Sequence, residues 1–263
     1  MQYLTFVDLK GKWRLYSGAG AEGEAISAID DATLLHDFSA AREPILWACS
    51  QTSSTQETSI ERINLPTLSR ERIDWKGGRV GAIACDADGQ QVVALELPSD
   101  IDRLPALWLW KENSWSVVNQ QVMPDISSKL AWLDGARIVY ESVERKLNIL
   151  DLVSGNTEQG PSGCCPAAAA DIREWYAISS GRVMRFPFEQ SFSGPPVALD
   201  GFSFGNVTTL RVSRDGNVFT WTEPKWGHRS KGYIQQRGQA RKRFRLIDEG
   251  IGAVLGPFDL KEP

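Results

Sequence analysis

The sequence predicts an all-β fold: a six-bladed β-propeller of four-stranded blades, with residues 1–263 as one domain. Three observations predict it. Apolar residues alternate or cluster in short runs bounded by Gly, Asp, Asn, Pro and Ser, the pattern of strands and turns. Hairpin signals centred on Asp-Gly recur with a period of roughly 40 to 47 residues, which suits units of four short strands. The two ends of the chain carry complementary parts of one further unit.

Taken in order, "YLTFVDL", "KWRLYSG" and "GEAISAI" read as strands b, c and d of a blade without a strand a, the first two joined at Lys10-Gly11. "ATLLHDFSAAREPILWACS" is a degenerate a–b hairpin turning near Ala41-Arg42. "VGAIACDADGQQVVALEL", "SKLAWLDGARIVYESV" and "VTTLRVSRDGNVFTWT" turn at Asp86-Ala87-Asp88-Gly89, Asp134-Gly135 and Asp215-Gly216, where glycine supplies the positive φ of a tight turn. "AAAADIREWYAISS" has the alanine content of a helix, but it falls where the next inner strand is due and turns near Arg173-Glu174. Each hairpin precedes two more strand-like runs, such as "KLNILDLVSGNTEQG", "ALWLWKENSWSVV", "RVMRFPFEQSFSGPPVAL" and "SIERINLPTLSRERID". "IGAVLGPFDL" reads as a lone strand a. Pairing it with the N-terminal strands b to d makes the sixth blade and leaves no open sheet edge at the seam. Two β-sandwiches would also supply many short strands, but they explain neither the period nor the half-units.

The segments "SRDGNVFTW", "DADGQQVVALEL" and "WLDGARIVYES...LNILDLVSGNTEQ" resemble the repeats of TolB-type, WD-repeat-like propellers. In those, an inner strand ends in a Ser-Pro-Asp-Gly-like turn and a third strand ends in Asp-Leu before a glycine turn. Ser213, Asp215 and Gly216 match that turn, with Arg214 where the family has proline. The resemblance implies a fold and no particular chemistry.

Composition narrows function mainly by exclusion. A net charge of -4 gives no general attraction to nucleic acid or acidic membranes. No apolar run approaches the ~20 residues of a membrane span, and the first residues lack the pattern of an export signal, so a cytoplasmic location is expected. Four cysteines are too few for a disulfide framework, and the adjacent Cys164 and Cys165, with Cys49 and Cys85 in strand runs, read as thiols in a reducing compartment. With two histidines, His36 and His228, and no Cys-x-x-Cys pair, no zinc site is expected. No nucleophile-elbow Gly-x-Ser-x-Gly occurs, and "VSRDGNVF" misses the Asp box of sialidases. Propeller hydrolases resembling the oligopeptidases carry their nucleophile on a further domain. No catalytic residue, metal ligand or cofactor is therefore assigned; Asp86, Asp134 and Asp215 read as turn formers.

Long connections gather on the face that carries the b–c and d–a loops: Cys49 to Ser59, Pro98 to Pro105, Thr222 to Gly232, "NQQVMPDISS" and "NTEQGPSGCCP". Scaffold loops are where binding residues tend to sit. The expected function is accordingly a non-enzymatic protein-binding propeller acting through that face, one form being an inhibitor or immunity-type protein. Its candidate contacts are Trp226, His228, Arg229, Lys231, Asp100, Asp102 and Arg103. Trp226 stands in a polar loop, whereas Trp13, Trp47, Trp108, Trp110, Trp132, Trp175 and Trp221 lie in strand runs and read as core. Two rivals remain. One is a lactonase-like or hydrolytic enzyme with a metal-assisted site at the ring axis. The other is nucleic-acid or phosphate binding through residues 222–245, where Lys225, Arg237, Arg241, Lys242, Arg243 and Arg245 alternate with Tyr233 and Phe244.

Overall fold

A computed structural model describes residues 2–9, 11–52, 55, 57–97, 103–119, 129–142, 144–190, 192, 196–202, 207–225, 229–243 and 251–258. Its strands form six antiparallel four-stranded sheets arranged as the blades of a propeller. Blade 1 holds β4 (Thr33–Ala40), β5 (Ile45–Thr52), β6 (Thr58–Asn64) and β7 (Arg70–Ile73). Blade 2 holds β8 (Arg79–Cys85), β9 (Val92–Leu97), β10 (Ala106–Lys111) and β11 (Ser114–Asn119). Blade 3 comprises β12 (Leu130–Asp134), β13 (Arg137–Glu141), β14 (Lys146–Asp151) and β15 (Thr157–Ser162). Blade 4 comprises β16 (Cys164–Ala169), β17 (Glu174–Ser179), β18 (Arg182–Pro187) and β19 (Val197–Ala198), and blade 5 comprises β20 (Thr209–Val212), β21 (Val218–Lys225), β22 (Arg229–Gln236) and β23 (Lys242–Arg243). Blade 6 is the shared one: β24 (Ile251–Phe258) pairs with β1 (Gln2–Leu9), followed by β2 (Lys12–Ser17) and β3 (Ser27–Asp30). The seam register sets Leu4 opposite Leu255, Phe6 opposite Ala253 and Val7 opposite Gly252, as the two half-units require. Among the described residues no helix is long and apolar enough to cross a membrane.

Each pair of adjacent blades is glued by its own apolar cluster, because both faces of every sheet are covered. Leu4, Phe6, Trp13 and Leu15 of blade 6 meet Leu35, Phe38 and Leu46 of blade 1. Trp175 and Phe186 of blade 4, stacked at 4.1 Å, pack on Val139 and Leu147 of blade 3. Trp13, Trp47, Trp132, Trp175 and Trp221 are all buried, and burying a large apolar side chain contributes about 2 kcal/mol. Trp108 and Trp110 lie between blades 1 and 2 as their alternation predicts, but only half-buried, at the outer rim.

The turns follow the sequence signals. Gly89 and Gly216 take φ values of +67° and +68°, and Asp86 Oδ1 accepts the backbone N–H groups of Gln90 and Gln91 at 2.8 and 3.0 Å. The alanine-rich segment becomes β16, a 3-10 turn at Ala170–Ile172, and β17, with Arg173 left-handed at φ +53°.

Several segments expected to be loops are strands instead. Cys49 to Thr52 extend β5, pairing with residues up to Ile60, and Thr222 to Gly232 lie mostly in the β21–β22 ladder. "NTEQGPS" supplies β15, so Gly163 alone separates it from β16. Polar Ser, Thr and Gln suit an outer strand with one wet face as well as they suit a loop, which is why composition misassigned them.

Candidate interaction surfaces and the central channel

Backbone bonds between blades define two ends of the ring. At one end the a–b turns are stitched together: Arg42 N–H donates to Ala87 O at 2.6 Å, Asp171 N–H to Arg214 O at 3.0 Å, and Arg214 N–H to Gly256 O at 2.8 Å. At the other end the b–c and d–a connections meet, as where Asp31 N–H bonds Gly11 O and Gly163 N–H bonds Arg145 O at 2.8 Å.

The inner strands enclose a cavity of about 330 Å³ that opens at the a–b end, rimmed by Arg42, Asp86, Asp134 and Arg214. These rim charges are used locally. Arg137 grips Asp134, and Asp86 holds its own turn. Arg214, in the position where TolB-type repeats carry proline, reaches Asp171 of blade 4 at 2.8 Å and the Arg42 carbonyl of blade 1 at 2.5 Å.

Deeper in the channel, Asp37 of β4 is buried against the Arg211 guanidinium of β20, with Lys129 Nζ at 3.9 Å and the Ile83 N–H at 3.2 Å. Arg211 also lies 5.0 Å over the Phe38 ring. Blades 1, 3 and 5 thus meet at one buried charge, and leaving such a charge unpaired costs about 3–5 kcal/mol. Asp37, Arg211 and Lys129 escaped the sequence reading, although a charge inside a short inner strand ("LLHDFS", "TLRV") is its visible signal. Among the described residues, Asp37, Asp86 and Asp134 of the channel are each engaged in an ion pair or a turn.

At the b–c and d–a end, Trp226, His228, Asp100 and Asp102 lie outside the described residues. Arg103 is exposed, with Nη2 3.5 Å from Glu96 Oε1. Glu96 is buried and also accepts from Gly78 N–H and Trp108 Nε1, each at 2.7 Å. Lys231 is half-buried on β22, and Arg229 begins that strand opposite Lys225. The structure does not bring Arg103 and the 229–231 segment into one described contact set, since they belong to blades 2 and 5.

The β21–β22 hairpin is longer than its neighbours. Among the described residues, β20 pairs with β21 as far as Thr222, and β23 pairs with β22 at Tyr233 and Ile234. Among the described residues, the rungs Glu223–Lys231, Pro224–Ser230 and Lys225–Arg229 pair with each other alone, as a two-stranded arm. At its base, Trp221 and Tyr233 stack at 5.4 Å, with Arg241 over Tyr233 at 5.1 Å. Arg237 donates to Tyr176 Oη at 2.7 Å. Two of the basic groups offered for nucleic acid, both exposed, thus have partners on the protein itself.

Two further features stand apart. A cleft of about 520 Å³ at the outer rim is lined by Trp75, Trp108, Trp110 and Trp115 with Arg72 and Asp74. On the b–c side, Glu141, Cys164 and Cys165 converge beside an open cavity of about 580 Å³. There Cys165 hydrogen-bonds Cys164, which holds the Cys164 thiol below its ordinary value and, with burial, raises that of Cys165. Burial pushes the Cys85 thiol up to about 12, in keeping with an unreactive core thiol.

No family model and no curated protein matches the sequence. Among solved structures, the chain is similar to TolB from Acinetobacter baumannii, with a TM-score of 0.72 and 13% identity over 96% of this chain. It spans 66% of that protein's length. It is also similar to a TolB-designated protein from Agrobacterium tumefaciens, with a TM-score of 0.63 and 12% identity over 97% of this chain and 98% of the other. The six-bladed arrangement is therefore a TolB-like propeller.

Proposed function

We propose that this propeller is a non-enzymatic binding protein that captures another protein at its b–c and d–a face, with the 223–231 arm as the main contact. The arm itself carries the reading. Its last three rungs extend past the described ends of both neighbouring strands and bear Pro224, Lys225, Arg229 and Lys231, with Trp226-Gly227-His228 joining the two strands in sequence. Tryptophan and arginine are among the residues that most often dominate contact energy, and this hairpin carries both in its sequence. An inhibitor or immunity-type protein is one form such a role takes. Arg103 is a second contact in this reading, with Asp100 and Asp102 beside it in sequence. The paired Arg237 and Arg241, together with the net charge of -4, weigh against nucleic acid as the partner.

The test is affinity capture from the native host with wild type and with Trp226→Ala/Arg229→Ala. A partner retained by wild type and weakened at least tenfold by the double variant is expected, since each hot-spot residue contributes about 2 kcal/mol. Equal retention by both proteins rejects the arm as the contact.

A further inference from the structure

Neighbouring side chains of a strand point to opposite faces, so two adjacent cysteines ordinarily diverge. Here they converge. Between the pairs Cys164–Ile178 and Ala167–Tyr176, β16 advances three residues while β17 advances two, which inserts one extra residue into β16. Cys165 sits in that bulge at φ +55°, a left-handed conformation that a non-glycine residue holds only when its surroundings impose it. Pro166 follows, lacking the N–H that a regular ladder would use. The "CCP" sequence is thus what breaks the alternation and turns both sulfur atoms to one side.

A third donor awaits them. Glu141 closes β13 of blade 3, its side chain 1% exposed, with Arg145 paired to one oxygen and Cys165 N–H 3.3 Å from the other. The two sulfur atoms and a Glu141 oxygen all lie within 4.8 Å of one another. A zinc ion with Zn–S bonds near 2.3 Å holds its sulfur ligands about 3.8 Å apart, so little movement separates this triad from a coordination shell. Gly163 allows the close approach: a Cβ there would meet Leu147 Cδ1 at 2.8 Å and the Ile178 carbonyl at 3.0 Å.

We propose that Cys164, Cys165 and Glu141 form a binding site for a thiophilic divalent cation, zinc, that clamps blade 3 to blade 4. Two thiolates and one carboxylate offset the ion and the neighbouring Arg145, leaving the site neutral. The adjoining cavity of about 580 Å³ admits water as the fourth ligand. Glu141 adds a carboxylate donor from the neighbouring blade, which makes a three-donor cation site of what would otherwise be a dithiol pair. The spacing rule that looks for Cys-x-x-Cys passes over this arrangement because its third ligand comes from another blade.

The test is zinc content and affinity, measured on chelator-stripped, reduced protein reloaded with zinc alone and desalted, with competition against a chromophoric chelator. Wild type is expected to retain about one equivalent, and its thermal midpoint to rise with free zinc. Cys164→Ser and Cys165→Ser are expected to lose the ion, Glu141→Gln to bind it at least about tenfold more weakly, and Cys85→Ser to match wild type. Because both thiols lose protons on binding, affinity should fall about a hundredfold for each pH unit below neutrality. Cys164 is half-buried, so its variant keeps the test open if Cys165→Ser fails to fold. Wild type that retains no more zinc than Cys164→Ser overturns the proposal. So does a Cys164–Cys165 disulfide as the state of the freshly isolated chain.

Discussion

Arg70 opens β7, and its guanidinium pairs with Asp31 and Glu61 while lying 4.7 Å over the Trp13 ring. It therefore binds blade 1 to blade 6 through charge and aromatic contact together. Burial raises the Asp31 carboxyl, but the hydrogen bonds from Arg70 and Thr33 and the Arg70 charge together outweigh it and hold the group below the usual carboxylate range. A carboxylate lowered in this way stabilises the fold above its unfolded value near 3.9, and that contribution disappears as pH falls through the lower folded value. Arg70→Met is expected to cost about 2 kcal/mol at pH 7, between a surface and a fully buried pair. Urea titrations at pH 7 and at pH 3 check it: the deficit should shrink at the acidic pH, and equal deficits refute the electrostatic account. No local pattern announces this residue, whose partner Asp31 is 39 positions away. Arg214 teaches the same lesson. Its place in a repeat motif was legible, but its contacts to blades 4 and 1 exist only once the ring has closed.

At the scale of the element, β24 and the 223–231 arm show opposite fates for sequence signals. "IGAVLG" is apolar enough to demand burial on both faces, and β1 receives it with a matched register. Val254, buried opposite Thr5, is the sensitive point. Val254→Asp should destabilise the protein by about 3 kcal/mol or more, because it leaves an unpaired charge at a buried position of the seam. A melting temperature unchanged from wild type would mean that the seam contributes little. The arm, by contrast, is polar, and polarity suggested a loop. It pairs because a continuous antiparallel ladder from Val218–Gln236 to Lys225–Arg229 satisfies the backbone regardless of which side chains face water. The β16 bulge is a third case: "CCP" is visible in the sequence, but the direction in which its sulfur atoms point is a property of the ladder.

In the whole molecule, six apolar clusters each join two neighbouring blades, and the Asp37–Arg211–Lys129 group links blades 1, 3 and 5 through the channel. No blade has a core of its own. Unfolding should consequently be cooperative, with tryptophan fluorescence and far-ultraviolet circular dichroism giving coincident urea midpoints. Separated midpoints would indicate that part of the ring opens first.

Strand content, the four-strand period, the glycine turns and the shared sixth blade were all determined by the sequence alone, because each rests on local alternation or on residues a few positions apart. The tertiary structure decided which charges would meet in the channel, how far the polar hairpin would pair, and where the Glu141, Cys164 and Cys165 donor atoms would converge. Those depend on closing a ring that brings distant strands together, and no short-range pattern in the chain encodes that juxtaposition.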